Sequence, residues 1–347
     1  MEHRAGPRIS VVVPVFNTAE LLRAAVSSVL DHSSAQVEVI CIDDGSSDGS
    51  AQVLESMAAS DSRVTVLSLG SNHGASAARN AGIERARGEY VFFLDSDDTV
   101  PPGALDVLLS AAVETGTSLA IGKLLWFKSR EESVSEYQQG ASDPIVVADI
   151  RESSYLQTVP GCHCCNLYAR ALLELHHIRY DTDLTYGEDQ LFQATAMVCA
   201  GKITIVDEVV YVYHHYRGQS LTRMPPGLKN LLDDLEYKRR MARLFLDHGM
   251  EGTARRVLGF WSYSIRQYWL QIPEALSREE ASAFFTSFRS MAAEFAISAW
   301  SERTPDHHRH LLGLIMSGHD EQALAYLATA EAHAGSLAMP RPTAELR

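Results

Sequence analysis

Cysteine is scarce in this chain, with 5 in 347 residues. An odd, small number in a mid-sized chain argues against a disulfide framework and for reduced thiols, so a cytoplasmic protein is expected. Basic charge is also short: 30 Lys and Arg stand against 44 Asp and Glu, a formal net charge of −14. That excludes a phosphate-backbone partner of the usual kind, because no basic footprint exists to release counterions, and no nucleic acid is expected. It does not exclude a phosphorylated small molecule, since a bound metal can supply local positive charge. No run approaches the roughly 20 apolar residues of a membrane span. The polar start MEHRAGPRIS runs straight into a strand and does not read as a signal peptide. Neither G-x-G-x-x-G nor G-K-[ST] occurs around Asn72-His73-Gly74, so this is not a phosphate-binding glycine loop.

What is present is carboxylate at strand ends. ICIDDGSSDGS (Ile40 to Ser50) and FFLDSDD (Phe92 to Asp98) each place acidic residues just after an apolar, β-like run. Carboxylates there repel one another and lose hydration unless a cation or polar ligand satisfies them. In open α/β sheets, ligands sit at the carboxyl ends of strands. A nucleotide and a divalent cation are the natural occupants.

The pattern supports that placement. Strands are predicted at Ile9 to Val15, Val37 to Ile42, Val64 to Leu69 and Tyr90 to Leu94. Helices are predicted between them: about Glu20 to Leu30 capped by Thr18, Ser50 to Met57, and Gly74 to Arg87. Pro101-Pro102 opens a further helix to about Glu114. Strands alternating with helices imply an α/β fold, a doubly wound, mostly parallel, Rossmann-like sheet. The middle reads as strands at Leu119 to Phe127 and Pro144 to Val147, helices at Asn166 to His176 and Asp189 to Ala200, and a strand or hairpin at Ile203 to Tyr213. From Gly227 the chain reads as helical, with Leu228, Leu231, Leu232 and Leu235 at helical spacing and a capping box at Ser277-Arg278-Glu279-Glu280. The expected domains are 1–226, with an acceptor-side part at about 117–226, a helical region 227–334, and a mobile tail 335–347.

Several residues carry candidate chemistry. Asp43 and Asp44 suit the ring N–H of a pyrimidine, or alternatively a capping turn. In Asp95-Ser96-Asp97, oxygen ligands suit a hard cation. Residues two apart on a strand point to opposite faces, so the aspartates converge only if the strand breaks, and Thr99 to Pro102 supplies the break. Arg79, near a helix start, needs an anion or a carboxylate beside it unless it is a surface arginine. Glu188 and Asp189 open an apolar helical run, as plain caps or as a base for a hydroxyl proton. Cys162-His163-Cys164-Cys165 has the wrong spacing for zinc knuckles. His214 and His215 reach toward a metal or pack among aromatics, and HHRH, His307 to His310, reads as a solvated helical face.

Together ISVVVPVFN (Ile9 to Asn17), IDDGSSDGS (Ile42 to Ser50), NHGASAARNAG (Asn72 to Gly82), GEYVFFLDSDD (Gly88 to Asp98) and YGEDQLF (Tyr186 to Phe192) resemble the family 2 inverting glycosyltransferases with a GT-A fold. The resemblance implies a nucleotide-diphosphate sugar donor, most often a UDP-sugar, and Mn2+ or Mg2+. It places Pro14, through its main chain, and Asp44 at the base, Asn72 and Arg79 completing that pocket, and counts Val15, Phe16, Asn17 and Asp43 among the residues that bind the nucleotide sugar. Asp95, with Ser96, and Asp97 would hold ribose, diphosphate and metal, Asp97 as the direct metal ligand. Asp189 would be the general base, supported by Glu188, and Arg217 and Ser220 would close on the diphosphate. Cys165-Asn166 stands where many relatives carry Asn-Lys, and His214 where they often carry arginine. Both regions would border the acceptor or the diphosphate, so the departures bear on the type of acceptor and not on the fold.

The acceptor implied is a carbohydrate, a polymer or a small metabolite, with peripheral membrane use compatible with the missing span. The C-terminal helices are candidates for self-association. Two other readings fit less. A sugar nucleotidyltransferase needs a glycine- and arginine-rich N-terminal loop with a lysine, which ISVVVPVFNTAE lacks. A non-catalytic sugar-nucleotide binder or scaffold would have lost the metal aspartates or the base, and all are present.

Overall fold

The computed structural model describes residues 6–33, 36–127, 133–134, 145–153, 156, 163–214, 227–259, 268–295 and 306–329. The chain divides into two units, Met1–Leu221 and Thr222–Arg347. The first holds one sheet. Its strands are β1 (Ile9–Val15), β2 (Val37–Asp43), β3 (Val64–Ser68), β4 (Tyr90–Phe93), β5 (Leu119–Phe127), β6 (Ser133–Val134), β7 (Ile145–Val147), β8 (Asn166–Ala169) and β9 (Ile203–His214). Their order is β3-β2-β1-β4-β8-β5-β9-β7, with β6 paired to β5. β3, β2, β1 and β4 are parallel neighbours, β8 runs antiparallel between β4 and β5, and β9 is parallel to β5.

The helices are α1 (Ala19–Leu30), α2 (Ser50–Ser60), α3 (Ala75–Arg85), α4 (Ala104–Thr115), α5 (Arg170–Leu175) and α6 (Glu188–Cys199). β1 and β2 are buried along their length and mostly apolar because helices cover both faces of a parallel sheet, and the buried Ser10 and Glu38 satisfy one another by a hydrogen bond (2.6 Å). Val11, Val13, Val39, Leu22, Val26 and Val29 are all buried in one core cluster. Helix–sheet contact is tight enough to need glycine: a Cβ on Gly82 would lie 2.2 Å from a methyl of Val12.

The structure corrects the sequence reading in particular places. Thr18 precedes α1 but makes no cap with its side chain, and its hydroxyl instead donates to Ser96 Oγ (2.9 Å). The Ala19 N–H is met by the Asp48 carboxylate from the next loop (3.0 Å). The stretch expected to be helical from Asn166 opens as β8, because Leu167 and Tyr168 are buried where Leu167 faces Phe92 and Tyr168 faces Leu119 across the two neighbouring strands. Only Arg170–Leu175 is helix. Ile203–His214 is one strand with register shifts against β5, not a hairpin. α4 begins at Ala104, beyond the Pro101-Pro102-Gly103 turn.

In the second unit the helices Leu228–Asp247, Glu251–Leu258, Arg278–Glu294, Asp306–Met316 and Asp320–Leu327 are described. Ser277 and Glu280 form the expected capping box. Within HHRH, His308 is buried rather than solvated, while Arg309 and His310 are exposed as expected and His310 packs edge-on against Tyr326 at 4.8 Å. Among the described residues, no helix is long and apolar enough to cross a membrane. The expected tail, 335–347, lies outside the described residues.

Candidate active site

Parallel pairing brings the carboxyl ends of β2, β1 and β4 to one edge of the sheet. β1 is the switch point, with β2 on one side and β4 on the other. A crevice outside the strand ends at such a point is where α/β sheets bind ligands. β1 ends at Val15, and Phe16 then stands 44% exposed. Asn17 takes a left-handed turn (φ 53°), which asparagine tolerates better than most residues. Its side chain accepts the Ser47 N–H (2.8 Å) and its own N–H donates to Ser46 Oγ (3.1 Å), which ties the β1 and β2 loops together.

Asp43 and Asp44 lie buried at the end of β2. Asp43 accepts the Ser46 N–H (3.1 Å). Asp44 commits one oxygen to the His73 N–H (2.7 Å) and the other to the Gly74 N–H (2.8 Å). It therefore fixes the loop before α3, where Asn72 accepts from Gly74 (3.1 Å). Gly45 sits beneath that loop at φ +76°, and a Cβ there would approach the Ser71 backbone to 2.7 Å. Gly45→Ala is expected to cost about 2–4 kcal/mol, from left-handed strain plus overpacking against backbone. Urea unfolding checks it, and an unchanged midpoint would refute the contact.

Beyond β4 the chain turns at once. Asp98 N–H donates back to the Asp95 carbonyl (3.1 Å), which brings Asp95, Asp97 and Asp98 onto one turn. Asp98 is buried, accepting from Tyr211 Oη (2.8 Å) and the His214 N–H (2.8 Å). Burial, then the charges of Asp97 and Asp95, push its carboxyl well above the ordinary range, despite those two hydrogen bonds. His214 itself is a packing residue: its ring stacks on Phe127 at 5.7 Å and its Nε2 lies 3.0 Å from Thr99 Oγ1.

Arg79 is not a surface arginine. It is 6% exposed, one turn into α3, and its guanidinium faces two acids. Nη2 donates to Asp95 Oδ1 (2.9 Å) and Nη1 to Glu188 Oε1 (3.4 Å), while the group lies 5.2 Å from the Tyr180 ring centre. Burial alone would raise the Asp95 pKa, but Arg79 and, further off, His163 hold it below the usual value.

Glu188 and Asp189 begin α6 behind Gly187 (φ 78°). Asp189 accepts the Gln190 N–H (2.8 Å) and its other oxygen lies 3.6 Å from His163 Nδ1. Burial opposes ionisation of both acids. His163 and Arg79 nevertheless hold Asp189 low, whereas Glu188, facing the Asp189 charge, stays raised despite Arg79. Two adjacent carboxyls pushed apart in this way titrate as a pair, one ready to hold charge and one reluctant.

Of the residues singled out in the sequence, Asp95, Arg79, Glu188 and Asp189 thus meet in one cluster, with Ser96 reaching Thr18 beside it. Arg217, Ser220 and His215 lie outside the described residues, as does Cys162. Sequence reasoning missed Asp98, Tyr180 and Tyr211, and set His163 aside with the cysteines around it. Asp98 stands in the acidic run itself, but its partners Tyr211 and His214 lie over a hundred residues away, as Tyr180 does from Arg79, so no local pattern names these partnerships.

Residues 10–175 match the model of Glycosyl transferase family 2. The succinoglycan biosynthesis protein ExoO of Rhizobium meliloti (strain 1021) is 30% identical over 223 residues, covering 63% of this chain and 63% of ExoO. The poly(ribitol-phosphate) beta-N-acetylglucosaminyltransferase TarP of Staphylococcus aureus (strain N315) is 30% identical over 208 residues, 59% of this chain and 62% of TarP. The chain thus spans a little over three-fifths of the length of these relatives. Residues 1–349 of S. aureus TarS, crystallised with UDP, superpose with a TM-score of 0.71 at 20% identity, covering 92% of this chain and 90% of that one. At that identity the likeness speaks for the fold, which is of GT-A type. Residues 10–175 thus carry a glycosyl transferase family 2 domain.

Proposed function

We propose that this protein is an inverting glycosyltransferase that moves a sugar from a UDP-sugar to an acceptor hydroxyl, with Asp189 as general base. One observation carries this reading: buried Arg79 draws the half-buried Asp95, at the end of β4, and Glu188, beside Asp189 at the start of α6, into a single cluster. A donor-side carboxylate and an acceptor-side carboxylate are thereby held at one crevice.

The residues fit a divalent cation. Asp95, Asp97 and Asp98 crowd one turn, and the charge of Asp97 and Asp95 adds to burial in resisting ionisation of Asp98. A cation relieves that repulsion. Among the described residues, no group of three or more His, Cys, Asp or Glu side chains is placed to hold a metal unaided. Mn2+ or Mg2+ would rest on Asp97 and Asp95 and draw the rest of its shell from substrate phosphates and water, as these ions commonly do. When bound, such an ion neutralises the charge that develops on the departing diphosphate. The exposed Phe16 ring suits stacking against the base, and Asn17, Asp44 and Asn72 set the loops around it.

Asp189 would take the proton of the acceptor hydroxyl as its oxygen attacks the anomeric carbon. The new C–O bond forms as the bond to the diphosphate breaks, and UDP leaves with that electron pair. One displacement from the opposite face inverts the centre, and no nucleophilic carboxylate is needed. TarS has been crystallised with UDP-GlcNAc and TarP is named for transfer to poly(ribitol-phosphate). A UDP-N-acetylhexosamine donor and a hydroxyl-rich polymer acceptor are therefore the first pair to test.

Thermal melts with UDP-GlcNAc, in Mn2+ and in EDTA, check the donor site. A donor at about a hundred times its Kd adds roughly 2.7 kcal/mol, several degrees in Tm for a domain of this size. Asp97→Ala should keep the unliganded Tm and lose the Mn2+-dependent part of the shift. No shift with any nucleotide-diphosphate sugar would sink the donor assignment.

A further inference from the structure

We infer that His163 is a positioning residue for the reaction: its buried ring, fixed by its neighbours, holds the Asp189 carboxylate in place to accept a proton. This rests on the reading of Asp189 as the acceptor-side base. The segment before β8 was set aside in the sequence as a cysteine-rich run without metal spacing, and its one described histidine takes no part in the steps above.

The geometry is specific. His163 is 4% exposed. Nδ1 lies 3.6 Å from Asp189 Oδ2, an ion-pair distance rather than a hydrogen bond. Nε2 lies 3.3 Å from Cys164 Sγ, and that sulfur lies 3.8 Å from Asp95 Oδ2. The ring is wedged between aromatic neighbours, 6.1 Å from Phe93 and 5.6 Å from Tyr180 centre to centre. The His163 carbonyl accepts from Tyr168 Oη (3.0 Å), which pins the backbone to β8. Imidazole so fixed has little rotational freedom, and its Nδ1 lies between one Asp189 oxygen (3.6 Å) and the Cys164 sulfur (3.7 Å).

The surrounding charges decide its protonation. Burial pulls the pKa of His163 down, and the Arg79 charge does the same. The Cys164 sulfur and the Asp189 carboxylate outweigh both and raise it to about 10. Asp189 in turn faces His163 and Arg79 as cations, and Glu188 and Asp95 as acids. Arg79 already bonds Asp95 and Glu188. That leaves His163 as the cation in contact with Asp189 among the described residues. The resulting chain Asp189–His163–Cys164–Asp95–Arg79–Glu188 joins the base to the donor-side aspartate, so the pose of one carboxylate depends on the other.

The test needs two readings on the full chain. Nitrogen-15 spectra of labelled histidine, with His163 assigned by its loss in His163→Gln, should show a ring still protonated at pH 8. In Asp189→Asn the same ring should titrate at least a unit lower. A ring that titrates near the ordinary histidine value of about 6.5 in the parent, or that ignores Asp189→Asn, overturns the proposal. In transfer assays, His163→Gln should lower kcat by roughly tenfold to a hundredfold, part of the range a general base commands. Donor KM should stay within about twofold, and the acid limb of the kcat/KM profile should move to higher pH, because the carboxylate loses its cation. Full kcat with an unmoved limb would also overturn it. A merely structural histidine would lower Tm and leave the limb in place. If the parent transfers no sugar at all, the functional reading fails, and the imidazole spectra still decide the pair.

Discussion

Asp189→Asn is expected to lower kcat by about a hundredfold to ten-thousandfold, the usual contribution of a positioned general base. Asparagine keeps the size and one acceptor oxygen of aspartate but cannot take a proton. The Gln190 N–H that donates to Asp189 Oδ1 can still be met, so α6 should begin as before. Donor affinity should change little, because the nucleotide-side loops are set by Asp44, Asn17 and the turn at Asp95, not by Asp189. The parent's pH profile should carry a matching mark. Burial alone would raise the Asp189 carboxyl, but His163 and Arg79 hold it below the ordinary range, so activity should persist below pH 4 until the fold itself gives way. Stopped transfer assays with titrated donor give kcat and KM separately, and calorimetry gives donor Kd. Transfer at the parent rate by the asparagine variant would remove Asp189 from the mechanism. A loss of donor binding as large as the loss of kcat would place it on the donor side instead.

The order of strands β1 to β4 and the acids at their ends were legible because both are local. A seven-residue stretch, Ile9–Val15, apolar but for Ser10 and followed by a turn, needs no tertiary information to be read as a buried strand. The partnership of those acids was only partly legible. Arg79 was expected to seek an anion or a carboxylate, and it found Asp95 on the neighbouring turn. Its second acid, Glu188, lies over a hundred residues away, and no local pattern names it. The insertion of β8 was hidden for a different reason. NLYAR followed by ALLEL carries good helix formers, and local propensity yields there to pairing with Phe92 and Leu119. Thr18 looked like a cap by composition, yet Asp48 reaches the same amide from another loop, which frees the hydroxyl for Ser96. His308 looked solvated because its neighbours are polar, although its own position on the helix faces inward. In each case the signal that failed was one that depends on which distant residue arrives.

Arg79→Met is expected to destabilise the first unit by about 3 kcal/mol, the low end of what removing one partner from a buried ion pair costs. Methionine fills a similar volume and so separates lost charge from lost packing. What remains is Asp95, 29% exposed at its side chain, and Glu188, 17% exposed, without the cation between them. Their residual access to water is why the low end applies. For a unit of this size the change amounts to roughly 6–12 °C in Tm. The effect should depend on pH in a defined direction. The Asp95 pKa is lowered in the folded parent, so its contribution is full above the unfolded carboxylate value and fades as pH falls through the folded one. The deficit of the methionine variant should therefore be largest near pH 7 and shrink toward pH 3, where protonated Asp95 and Glu188 no longer need a cation. Adding Glu188→Gln should recover part of the loss at pH 7, since one of the stranded charges is then gone. Urea unfolding of the single and double variants at both pH values reads all of this. Equal midpoints for parent and Arg79→Met at pH 7 would mean that the guanidinium only fills space between the two acids. A deficit that persists undiminished at pH 3 would mean that its packing against Tyr180, not its charge, holds β4 and α6 together.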